Sequence, residues 1–189
     1  AKPHLNMKYI LKLDIKDFFP SIDFVNIYKK AFPRYIYPEA VASLLTNLVT
    51  YNNFLPQGAP TSSYISNLIL RSFDIKIGKF CKENNISYTR YCDDMTFSGD
   101  FNISQVITLV KSELLKNNFI LNKKKIKVIC ANKPQIVTGI VCNVKLTVPR
   151  VYKKKIRQEI YYINKFGLDG HLQFQKYNIE APLYLNKLY

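Results

Sequence analysis

Residues 87–99, SYTRYCDDMTFSG, place two adjacent aspartates, Asp93 and Asp94, where an otherwise apolar stretch turns back on itself. Tyr88, Arg90 and Cys92 fall on one face of the first arm, Thr89 and Tyr91 fall on the other, and MTFS returns. This pattern predicts a β-hairpin. Adjacent carboxylates repel each other, so the pair gains nothing structural unless a cation neutralises it. Oxygen-rich sites of this kind suit Mg²⁺, which binds through a few carboxylates together with substrate phosphates. Two such ions about 4 Å apart activate an attacking hydroxyl and stabilise a leaving oxygen. The plainer alternative is a solvated hairpin tip.

A third acid belongs with this pair. KYILKLDI (8–15) alternates with period two and reads as a strand ending at Asp14. Pro20 stops it, and Ser21 or Asp23 caps a helix over about 23–32. Asp17 and Asp23 read as surface or cap residues. Pro38 opens a helix over 38–50, and NNFLPQGAPT (52–61) is a structured loop. A long apolar helix is expected over 63–84 and another over 103–118. Strands follow at 119–130, 135–142 and 145–149, and a basic helix at 150–165. Gly167–Gly170 reads as a loop. Mixed strands and helices in this order imply an α+β fold with an antiparallel sheet and helices on one face.

Charge narrows the partners. The 189 residues carry 28 Lys and Arg against 13 Asp and Glu, net +15. Residues 101–189 hold 16 basic and 4 acidic groups, net +12, whereas residues 1–100 hold 12 and 9, net +3. That asymmetry favours a polyanion, because lysine and arginine release counterions condensed on phosphates. The 14 Tyr and 12 Phe are suited to base stacking as well as to a core. No apolar run approaches a membrane span, and no signal-peptide core is present. Cys81, Cys92, Cys130 and Cys142 form no CxxC pair, which argues against zinc and for free thiols in a reducing cytoplasm.

LPQGAPTSS (55–63) is the second candidate site element. Gly58 permits close backbone approach or positive φ, and Gln57 offers both donor and acceptor. With this loop in place the chain resembles a reverse transcriptase over nearly all its length. LDIKDFFPSI (13–22) resembles palm motif A, LPQGAPTSS motif B and YCDD (91–94) motif C, with Cys92 where Ala is common. FILNKKKIKV (119–128) stands where motif D belongs. VTGIVCN (137–143) resembles the VTG signature of bacterial retron enzymes, AKPH (1–4) the end of their NAxxH element, and GLDGHLQFQKYN (167–178) their first thumb segment. The finger region that precedes motif A in the family is not in this sequence, and the start without Met suggests a piece of a longer protein.

The resemblance implies a polymerase palm over 1–149 and the start of a helical thumb over 150–189. Asp14, Asp93 and Asp94, with the Ile15 carbonyl, would hold two Mg²⁺ ions. Phe19, five residues after Asp14, would exclude a 2′-hydroxyl, and Gln57 and Gly58 would contact the nascent base pair and template. One lysine of the 123–125 run, taken as Lys123, would protonate the leaving pyrophosphate. Val137, Thr138 and Gly139, and the thumb residues Arg150, Lys153, Lys154, Lys155 and Arg157, would bind nucleic acid. His4 and His171 stand too isolated to be metal ligands.

The implied partners are a structured non-coding RNA that serves as template and primer, its DNA product, deoxynucleoside triphosphates, and a toxin or effector protein in anti-phage defence. Rival readings are a group II intron-like or other bacterial defence reverse transcriptase, and a palm-derived RNA-binding scaffold without turnover. Three converging carboxylates would serve no purpose in a scaffold.

Overall fold

A computed structural model describes residues 1–174. Its centre is a four-stranded antiparallel sheet in the order β2-β3-β1-β4. The strands are β1 (Tyr9–Asp14), β2 (Ser87–Tyr91), β3 (Asp94–Gly99) and β4 (Lys127–Cys130). Side chains alternate across a strand, and this sorts the two faces. Leu11 and Leu13 of β1 and Met95 and Phe97 of β3 are fully buried on one face. They pack with Phe73 and Ile77 of α4 (Arg71–Glu83) and with Val106, Val110 and Leu114 of α5 (Ile103–Lys116). Burial of each such side chain is worth roughly 1.5–3 kcal/mol. The alternate residues, Lys12 and Asp14 of β1 with Asp94 and Thr96 of β3, are cross-strand partners on the opposite face. The expected α+β architecture is therefore present, with both helices of this core on one side of the sheet.

Local chemistry sets the helix starts. Asp23 caps α1 (Phe24–Lys30), accepting the Asn26 amide at 2.7 Å. Pro38 stands at the N-cap of α2 (Glu39–Val49), and Glu39 faces its positive end. Asn102 caps α5 through the Gln105 amide at 3.2 Å. Buried His4 fastens the N-terminal 3-10 turn (Lys2–His4) to the sheet, within 2.7 Å of Ser98 Oγ and 2.8 Å of Thr89 Oγ1.

Four expectations are corrected. The helix expected over 63–84 is two, α3 (Ser62–Ile69) and α4, separated at Leu70, where ψ is 3°. The Ser66 hydroxyl bonds back to the Ser63 carbonyl at 2.8 Å just before that break. The strand expected over 119–130 is confined to β4. Before it, a 3-10 turn at Lys123–Lys125 pulls the chain toward Asp14. The strand expected over 135–142 is a tight hairpin, β5 (Ile136–Val137) and β6 (Ile140–Val141), and 145–149 contributes one bridge, Val141 to Thr147. The loop expected at Gly167–Gly170 shrinks to a break at Gly167 alone (φ 73°, ψ 163°), which splits α6 (Arg150–Phe174) into two helical parts. Glu159 and His171, both buried, meet across the kink at 2.6 Å. The remainder of the expected thumb, 175–189, lies outside the described residues.

Candidate active site

Asp14 ends β1 and Asp94 begins β3, and the two are direct cross-strand partners. Asp93 sits between them in the two-residue turn that joins β2 to β3, and its carbonyl accepts the Ile15 amide at 3.3 Å. Three carboxylates 79 and 80 residues apart in sequence thereby line one cleft of about 360 Å³, together with Lys12, Lys125 and Lys127. Asp14 is almost wholly buried and Asp94 is exposed.

Each Asp14 oxygen has a partner from the segment before β4. Asn122 Nδ2 donates to Oδ1 at 3.0 Å, and Lys125 Nζ donates to Oδ2 at 2.8 Å. The backbone repeats the link, since the Asn122 amide donates to the Asp14 carbonyl at 2.8 Å. The Asp14 carboxylate, by hydrogen bond and by charge, raises the pKa of the Lys125 ammonium. Asp93 is shifted upward, first by burial and then by the neighbouring charges of Asp14 and Asp94. A carboxylate held above its usual range by burial and, further, by like charges is one that a cation would relieve.

The donors at this cleft are carboxylate oxygens with no imidazole among them, which fits a hard divalent cation. Among the described residues no three His, Cys, Asp or Glu side chains close into a ready-made metal cage. A lysine ammonium instead supplies positive charge to Asp14.

The other expected site residues are dispersed. Phe19 is half-buried, with its ring 5.2 Å from that of Phe18, and does not line the cleft. Gln57 and Gly58 are exposed in a loop that is pinned by the Leu55 amide to Ile22 at 3.0 Å and by the Ser62 hydroxyl to Pro56 at 2.6 Å. Gly58 has φ 88°, so its glycine answers to backbone conformation. Lys123 does not line the cleft; Lys125, two residues on, does. Val137 is 1% exposed, packed with Ile10 and Cys142, and its side chain is unavailable to RNA. Thr138 and Gly139 form the exposed tip of the β5–β6 hairpin, with φ 45° and 82°. Arg150, Lys153, Lys154, Lys155 and Arg157 all lie exposed on α6. Sequence reasoning missed Asn122 and Lys125 as partners of Asp14. Their spacing of three would have grouped them only if the 3-10 turn had been foreseen.

Residues 1–163 match the family described as Reverse transcriptase (RNA-dependent DNA polymerase). The chain is 32% identical to the Retron Ec86 reverse transcriptase of Escherichia coli, over 86% of this chain and 52% of that protein. It is 31% identical to the Retron Mx65 reverse transcriptase of Myxococcus xanthus, over 93% and 48%. Identity to the Retron Ec83 reverse transcriptase of Escherichia coli is 33%, over 100% and 67%. The chain thus spans about half the length of the first two relatives. Among solved structures it resembles apo telomerase from Candida tropicalis truncated from the C-terminal domain, with TM-score 0.56 and 13% identity over 77% of this chain and 36% of that one. At that identity the likeness is one of fold, and the fold it supports is the polymerase palm. With the carboxylates of motifs A and C on adjacent strands of that palm, and with the retron enzymes among its relatives, the chain belongs to the reverse transcriptase (RNA-dependent DNA polymerase) family.

Proposed function

We propose that this chain is the catalytic palm, 1–149, and the beginning of the thumb, from 150, of a retron reverse transcriptase that copies a structured RNA into single-stranded DNA. The observation that carries this reading is the pairing of Asp14 with Asp94 across β1 and β3, with Asp93 in the turn beside them. Asp14, Asp93 and Asp94 hold Mg²⁺, with the Ile15 carbonyl as a further donor. Two bound ions would ease deprotonation of the primer hydroxyl and neutralise the triphosphate.

The remaining work falls to side chains. Lys125 holds a proton on Nζ at the cleft and is placed to give it to the departing pyrophosphate. Phe19 screens the sugar, and Gln57 and Gly58 contact the base pair. Thr138, Gly139 and the cations of α6 hold the RNA. The cell-level part of the proposal rests on the retron resemblance of the motifs: action in the cytoplasm, compatible with four free cysteines, and a toxin or effector partner in anti-phage defence.

The test is Asp93→Asn with Asp94→Asn in the full-length protein. Deoxynucleotide incorporation should be lost while RNA binding is retained. Normal extension by the double variant would sink the polymerase reading.

A further inference from the structure

The turn that carries Asp93 is built on an awkward residue. Cys92 occupies the first position of the two-residue β2–β3 connection with φ 51°, a left-handed conformation that glycine normally supplies. Something outside the turn must hold it there. The Cys92 carbonyl accepts a hydrogen bond from Arg90 Nη1 at 2.8 Å. Arg90 is itself immobilised. Its side chain is 5% exposed, Nε donates to Asp74 Oδ1 at 2.9 Å, and Nη2 donates to Asp74 Oδ2. The Tyr88 hydroxyl donates to the same Asp74 Oδ1 at 2.8 Å. Asp74 stands in the first turn of α4, on the far side of the sheet from the cleft.

We infer that Arg90, clamped by Asp74, is a positioning residue: it fixes the Cys92–Asp93 backbone and so the place of the Asp93 carboxylate in the cleft. The planar guanidinium is what allows this, since it satisfies both carboxylate oxygens and still has an N–H for the carbonyl. A lysine in its place would reach one partner set or the other. Burial and the Asp74 charge push the Tyr88 phenol far above its ordinary pKa, so it remains a donor to Asp74 throughout the working range. No cluster residue touches the substrate cleft, which separates this role from direct metal binding or chemistry. The inference rests on the palm reading, because it assigns Asp93 a metal to hold.

The test uses the full-length protein and four variants: Arg90→Lys, Asp74→Asn, the double Arg90→Lys/Asp74→Asn, and Asp93→Asn as a control. Arg90→Lys keeps a cation opposite Asp74 and so preserves the fold, which thermal unfolding verifies. Mn²⁺ binding is read by paramagnetic resonance titration, apart from turnover. Extension is resolved into kcat and KM for deoxynucleotide, and RNA affinity is measured separately. Arg90→Lys should raise the Mn²⁺ midpoint and lower kcat by about 10–100-fold, as outer partners of metal ligands do. RNA affinity should stay within about twofold. The double variant should lose little more than either single, because both act through one turn. An Mn²⁺ midpoint and kcat within about twofold of wild type for both single variants would overturn the positioning role, provided Asp93→Asn abolishes extension. Normal extension by Asp93→Asn would instead overturn the palm reading beneath it.

Discussion

The ammonium of Lys125 lies 2.8 Å from Oδ2 of Asp14, a pairing across 111 residues of sequence. Asp14 is the most buried of the three cleft carboxylates, and Lys125 is its charge partner. Lys125 is therefore tethered at the cleft, whereas Lys123 does not line it.

The first prediction separates these two lysines. Lys125→Ala should lower single-turnover nucleotide incorporation by roughly 10²–10⁴-fold, the range for loss of a general acid. Lys123→Ala should stay within about twofold of wild type. Lys125→Arg should recover little, because a guanidinium does not release its proton near neutrality. Equal losses at both positions would show that the run acts only as a charge cluster.

Phe19 offers a second prediction. Its ring packs on Phe18 and is only half-buried, and the resemblance to motif A assigns it to a substrate sugar. Phe19→Ala should raise ribonucleotide relative to deoxynucleotide incorporation in a competition assay, with kcat for deoxynucleotide less affected. An unchanged ratio in a folded variant would assign the ring to the core alone.

His4 makes stability depend on pH. Burial lowers its pKa from 6.5 to about 4 in the folded chain. The unfolded chain therefore takes up a proton below about 6.5 that the folded one refuses until about 4. Stability is full above the upper value, falls as pH drops through this window, and levels off beneath it. The loss is roughly 3 kcal/mol at most. Urea titrations at several pH values should show the slope, and His4→Gln should lower stability at pH 7 while flattening it. A slope that survives His4→Gln would assign the titration to another group.

What the chain order reveals depends on how local the cause is. Asp14, Asp93 and Asp94 were legible because period-two alternation around each one marks a strand end or a turn. The cap at Asp23 was legible because the side chain bonds three residues away. The break at Leu70 was hidden, since neither glycine nor proline marks it and Leu70 is fully buried. The lysine that pairs with Asp14 was hidden for a different reason. Three identical neighbours differ only in phase, and a 3-10 turn sets that phase through bonds to a residue more than a hundred positions away. In VTG, Val137 packs inward because the turn falls after it. The Arg90–Asp74 clamp joins a strand to a helix 16 residues earlier, a pairing that periodicity does not express.

The basic C-terminal part allows charge and shape to be told apart. Lys153, Lys154 and Lys155 are exposed on α6, and Lys153 Nζ also reaches Thr147 Oγ1. As point charges they should bind phosphates without regard to sequence. Changing all three to Gln in the full-length protein should weaken binding to cognate and scrambled RNA alike. It should also flatten the salt dependence by roughly 0.7–0.9 in log–log slope for each phosphate that the variant no longer neutralises. Gly139 should behave differently. A Cβ there would meet nothing within 4 Å, so crowding of the backbone is not the reason for glycine. The reason is φ 82° in a two-residue hairpin turn, beside Thr138 at 45°. Gly139→Val should therefore cost about 1–3 kcal/mol of stability through backbone strain, whereas Gly139→Asn, which tolerates the left-handed region, should cost far less. If the hairpin tip reads RNA shape, Gly139→Val should impair the cognate RNA selectively and Gly139→Asn should restore it. Binding titrations of all three variants at several salt concentrations decide the matter. A wild-type slope in the lysine variant would turn that face of α6 to solvent. Equal damage to both RNAs by Gly139→Val would leave the turn a structural element only, and the tip would be removed from the RNA-binding surface.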